Sequence, residues 1–178
     1  MYSDVLNFWF DELEPKQWWI KDTDLDRLIT DRFAALHRQA SRGELYLWRG
    51  QAEGRLAEII ILDQFSRNMF RGSPLSFTCD AQALALAQEA VSVGADKLLT
   101  QIERNFLYMP FMHSESPLIH EVAVELFRNN GIEGSYEYEV RHKEIIDKFG
   151  RYPHRNAVLG RKSTAAEIEF LKQPGSGF

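Results

Sequence analysis

From Gly54 to Met69 the chain is apolar on nearly every side: Leu56, Ile59, Ile60, Ile61, Leu62 and Phe65 spread over all faces of a helical wheel. A helix that is apolar all round is a buried one. Ile59-Ile60-Ile61-Leu62 is also compatible with a strand. The length of the segment and its flank of Arg55, Leu56, Ala57 and Glu58 favour a helix.

The remaining punctuation is helical too. Asp22 and Thr23 are N-cap candidates for a helix from about Asp24 to Ser41, with Leu25, Leu28, Ile29, Phe33 and Leu36 as its stripe and Gly43 past its end. After the turn Arg71-Gly72-Ser73-Pro74, Thr78 or Asp80 opens an Ala/Leu/Gln helix that stops near Gly94. Leu98, Leu99, Ile102, Phe106 and Met109 form another stripe, ended by Pro110. Ser116-Pro117 starts a helix carrying Leu118, Ile119, Val122 and Leu126, which ends at Asn129-Asn130-Gly131. Ser135 opens the next, with Tyr138, His142, Ile145, Ile146 and Phe149 on one face and Gly150 as its stop. Thr164-Ala165-Ala166-Glu167 is a capping box. With a short first helix around Val5 to Phe10, the spacing predicts about eight helices and no strand of period two. The expected fold class is all-α, with short connections setting the helices in antiparallel hairpins within one domain over residues 1–178.

Bulk properties exclude some functions. A formal net charge of −5 argues against a general nucleic-acid binder. Cys79 is the one cysteine, so neither an internal disulfide nor a cysteine-only zinc site is available. Met1-Tyr2-Ser3-Asp4 does not begin a signal peptide, and the longest apolar run is far too short to span a bilayer. The expected address is the cytoplasm.

Four groups of residues carry chemistry. Asp63 and Arg67, four apart, share a helix face at the core boundary. They read either as a structural ion pair or as an arginine oriented by a carboxylate to grip an anion. Phe111-Met112-His113-Ser114-Glu115, placed in a loop after the proline stop, offers His113 and Glu115 as an acid/base pair, or as simple caps for the next helix. Arg151-Tyr152-Pro153-His154-Arg155-Asn156 is dense in donors and reads as a polar clamp for phosphate or carboxylate, or as a set of groups that satisfy helix-end carbonyls. His142 lies on an apolar stripe, where a hydrogen-bonded core histidine is the commoner role. Residues 141–162 hold seven Lys/Arg against two Asp/Glu, a local basic region that can steer an anionic partner or form a salt-bridging face. No Gly-rich phosphate loop, nucleophile elbow or paired-histidine zinc helix is present. No cofactor is expected, and no metal site, since His113, Glu115, His142 and His154 lack a recognised ligand spacing.

Three long motifs occur in order: Leu62-Asp63-Gln64-Phe65-Ser66-Arg67-Asn68-Met69-Phe70-Arg71-Gly72, Phe106-Leu107-Tyr108-Met109-Pro110-Phe111-Met112-His113-Ser114-Glu115, and Phe149-Gly150-Arg151-Tyr152-Pro153-His154-Arg155-Asn156. With Leu159-Gly160-Arg161, Ser163-Thr164 and Phe170-Leu171, they resemble the bacterial family known as domain of unknown function 924. The likeness runs from about Asp4 to Phe178, and implies that the tail Pro174-Gly175-Ser176-Gly177-Phe178 belongs to the natural chain. It implies a helical fold similar to tetratricopeptide-repeat proteins and brings no established activity. The family pattern has proline where this chain has Ser66, and serine relaxes the kink next to Arg67 and Asn68.

Two functions follow as expectations. The first is a site for a small anionic molecule, with Arg67, Arg151 and Arg155 binding the anion, His113 or His154 as acid/base and Asp63 and Glu115 orienting them. Asn68, His142 and Asn156 complete the polar set. The second is a tetratricopeptide-like groove for a peptide, with structural polar motifs. Binding of nucleic acid through residues 141–162 ranks last, and no membrane contact is expected. Trp9, Trp18, Trp19 and Trp48 supply either core or a dimer face.

Overall fold

A computed structural model describes residues 1–177; Phe178, the end of the expected native tail, lies outside the described residues. Among these the chain is all-α, in eight helical rods. The first rod is α1 (Tyr2–Leu6), continued by π-helical Asn7–Glu12. Next comes α2 (Thr23–Ser41), capped by the Asp22 carboxylate, which accepts from the amides of Asp24 and Leu25. The third rod is α3 (Ala52–Ile60), which passes through π-helical Ile61–Phe65 into α4 (Ser66–Met69). Then follow α5 (Asp80–Ser92), α6 (Gln101–Met112), α7 (Pro117–Asn130), α8 (Glu133–Phe149) and α9 (Ala165–Phe170). No helix among the described residues is long and apolar enough to cross a membrane.

The all-apolar segment takes the centre. Residues 56–62 of the third rod are fully buried. The rod contacts α1, α2, α5 and α6, while α5, α6, α7 and α8 pack in succession. Phe8, Trp9, Phe33, Phe65 and Phe106 pack edge-to-face or tilted about the rod, and Trp18 donates its indole N–H to the Trp9 carbonyl (2.8 Å). The tryptophans thus build core, except Trp19, which is exposed but stacks on Phe106. Gly54 is forced by packing: a Cβ there would lie 2.1 Å from the Trp48 carbonyl oxygen.

The structure corrects several local expectations. Pro110 does not end α6, which runs on to Met112 and closes with the His113 amide on the Met109 carbonyl (3.0 Å). Proline removes one hydrogen bond and crowds the carbonyl four residues back, but Pro110 stands in the last turn of α6, and burial of Phe106, Leu107, Phe111 and Met112 around it holds the helix. Phe111 and Met112 are therefore helical, and His113 is the C-cap. Helix α8 opens at Glu133 rather than Ser135. On α7 the buried face is His120, Ala123, Phe127 and Asn130, while the expected core residues Leu118 and Val122 are exposed. On α8, Glu139 is buried and Tyr138 exposed; Leu28 and Leu98 are also exposed. In each helix the inward face includes polar residues that an apolar count passes over.

Ser66 fills a particular role at the foot of the π turn. Its hydroxyl donates to the Leu62 carbonyl (2.6 Å) and, with its one proton spent, accepts from Nε2–H of buried His37 (2.8 Å).

Candidate functional site

Four elements meet where the third rod changes from π to α. The π turn supplies Asp63, α4 supplies Arg67, the start of α5 supplies Asp80, and the end of α6 supplies His113. Single π turns inside α-helices recur at functional sites. Asp63 is 1% exposed and fully engaged. It meets His113 Nδ1 at 2.7 Å, Arg67 Nη1 at 3.1 Å and Gln64 Nε2 at 2.6 Å. Arg67 also grips Asp80 with two hydrogen bonds of 2.9 and 3.0 Å. Arg155 reaches the same Asp80 at 3.4 Å and lies between the rings of Phe77 and Tyr152, 4.7 and 4.6 Å from their centroids.

The electrostatics follow from that crowding. Burial pushes the Asp63 carboxyl up, but Arg67, His113 and Gln64 outweigh it and hold the group below the usual carboxylate range. Burial pushes His113 down, Arg67 pushes it further, and Asp63 opposes both without winning. A neutral imidazole facing an ionised carboxylate places its proton on Nδ1. Its Nε2 then carries a lone pair, makes no hydrogen bond to any described residue, and belongs to a ring 15% exposed. The pattern is a carboxylate-oriented histidine with a reachable acceptor atom.

A second layer lies behind the first. Tyr152, fully buried, has His142 and His154 ring centroids 5.6 and 5.5 Å away. Its hydroxyl donates to the Met112 carbonyl and sits 3.2 Å from His120 Nε2. His120 Nδ1 meets Glu139 Oε1 at 2.7 Å, with both side chains wholly buried. Burial pushes Glu139 up; it also pushes His142 down to about 3 and His154 down to about 4. Among the described residues no group of three or more His, Cys, Asp or Glu side chains is placed to hold a metal ion.

Asp63, Arg67, His113 and Arg155 therefore come together. His142 and His154 stand behind them around Tyr152. The other candidates are engaged elsewhere. The carboxylate beside His113 is Asp63, not Glu115, because the C-cap turn directs Glu115 to the Tyr152 amide (2.7 Å) and, bidentately, to Arg161. Arg151 forms a fork with Glu167 and lines a separate shallow depression of 510 Å³ with Lys148, Phe149 and Thr164. Asn68 donates to Asp26, and Asn156 joins Arg161 to Ser163. Sequence reading missed Asp80, His120 and Glu139. Asp80 resembled a helix cap, although Cys79 occupies that position. His120 and Glu139 sit on different helices, and only the pairing of those helices makes them neighbours.

The profile described as "Bacterial protein of unknown function (DUF924)" matches residues 5–175. A solved structure of a protein of unknown function from Agrobacterium tumefaciens is 35% identical, covers 96% of each chain and superposes with a TM-score of 0.91. Among curated proteins no relative matches the chain.

Proposed function

The chain belongs to the DUF924 family of bacterial proteins of unknown function, and from that premise we propose that the Asp63–Arg67–His113–Arg155 cluster binds a small anionic molecule, with His113 as an acid/base group. The observation that carries this reading is the Asp63–His113 hydrogen bond, which leaves the imidazole with a reachable Nε2 lone pair. Asp63 fixes the tautomer, as an orienting carboxylate does in acid/base sites. Arg67 and Arg155 supply the anion contact. Both meet the Asp80 carboxylate, Arg67 also meets Asp63, and Arg155 Nε has no hydrogen-bond partner among the described residues. An unpartnered guanidinium N–H suits a phosphate or carboxylate. The buried single thiol Cys79 is in keeping with a cytoplasmic setting.

The test is thermal unfolding with inorganic phosphate, acetate and citrate, on wild type and His113→Gln. A probe at a hundredfold excess over its Kd stabilises the native state by about 2.7 kcal/mol. The expected result is a rise in Tm with at least one probe, reduced in His113→Gln. A panel with no shift overturns the reading and leaves a peptide-binding helical array as the one to pursue, by pull-down of protein partners.

A further inference from the structure

Three consecutive carbonyls at the end of α6 are each held by a side chain from elsewhere in the chain. Met112 O accepts from the Tyr152 hydroxyl, His113 O from Arg155 Nη2 at 3.1 Å, and Ser114 O from His120 Nε2 at 2.9 Å. A helix end leaves its last carbonyls without partners, and at an accessible end water serves them. Here the three donors are Tyr152 and His120, both fully buried, and Arg155, nearly so. His113 is the middle residue of the three.

The donors are themselves fixed. Ser114 O can only accept, so His120 carries its proton on Nε2. Glu139 Oε1 lies on the other ring nitrogen. Whether the shared proton rests on Glu139 or on His120 Nδ1, Nε2–H remains a donor. Glu139 Oε2 is buried with no hydrogen-bond partner among the described residues, a cost that a plain helix cap does not require. The array is not a proton path to the site, because the Tyr152 proton ends on the Met112 carbonyl.

We propose that Tyr152 and His120, the latter oriented by Glu139, are positioning residues for His113: they fix the main chain on both sides of it, so that its ring keeps Nδ1 on Asp63 and leaves Nε2 reachable. The role in function rests on the reading of His113 as the acid/base group.

The experiment is histidine-selective ¹⁵N NMR of the full chain, comparing wild type, Tyr152→Phe, His120→Gln, Glu139→Gln and Arg151→Ala. Wild type is expected to show a protected Nδ1–H resonance for His113 and titration below the ordinary histidine range. Tyr152→Phe keeps the ring beneath Arg155 and removes one hydroxyl. It is expected to broaden or abolish that resonance and to move the titration back up towards the ordinary range. His120→Gln is expected to do the same. Glu139→Gln keeps an amide donor for His120 Nδ1 and is expected to preserve the resonance. Arg151→Ala, which breaks a neighbouring ion pair, is expected to leave it unchanged. If Tyr152→Phe is folded and its His113 signal matches wild type, the proposal is overturned, as it is if wild type shows no protected proton. If His120→Gln fails to fold, Tyr152→Phe alone decides. A lost signal in Tyr152→Phe with a silent phosphate, acetate and citrate panel upholds the positioning and overturns the ligand reading. An unchanged signal with a phosphate shift does the reverse.

Discussion

Asp63 holds His113, Arg67 and Gln64 with two oxygens that are themselves almost closed to water. Removing one partner of a buried charged network leaves the others uncompensated. Asp63→Asn is expected to cost about 3 kcal/mol, read by urea denaturation at pH 7. Because its folded pKa is depressed, Asp63 adds stability above the unfolded value of 3.8 and loses it only as pH falls through the lower folded value. The histidines act earlier. His142 and His154 are held at about 3 and about 4 against 6.5 when unfolded, so the unfolded chain takes up protons first. Stability therefore falls as pH drops from about 6.5, by up to roughly 1.4 kcal/mol per pH unit for each histidine. Urea midpoints at pH 7 and pH 5 check this, and equal midpoints would refute neutral burial of these rings. None of this was readable from His142 and His154 as letters, since burial, not spacing, sets their titration.

At the scale of the element, the third rod depends on two small residues. Gly54→Ala drives a Cβ against the Trp48 carbonyl, backbone that cannot rotate aside. Overpacking of this kind costs about 1–3 kcal/mol, and a Tm lowered by several degrees is the expected reading. Ser66→Ala strands the Nε2–H of buried His37 and is expected to cost about 1–3 kcal/mol, with the urea m-value unchanged. Helix existence was legible here because the apolar run, its flanks and the turn after it all agree. The change from α to π within Ile61–Phe65 was not, because no residue type enforces it.

Across the whole molecule, the slowest-exchanging amides are expected in residues 56–62 and in α6, and fast exchange in α9. Residues 56–62 are fully buried and α6 is buried from Asn105 to Met112, whereas α9 presents one buried residue, Glu167. Hydrogen exchange followed by mass spectrometry checks the order, and a protected α9 would contradict it. Periodicity and cap residues revealed the fold class and most helix boundaries, and the three motifs stood out by their residue types and by the family resemblance. None of these could show that Asp63 and His113 meet across fifty residues, or that His120 and Glu139 close a second layer, because those pairings exist only once helices choose neighbours. The π turn fixes the phase of the rod. An α-helix advances the side chains by about 100° per residue, and the wider π turn advances them by less. Were Ile61–Phe65 to tighten into plain α-helix, every hydrophobic residue would be retained, yet Arg67 would rotate away from Asp80 and Ser66 away from His37. The chain would keep its core and lose the phase that aligns its first half with its last.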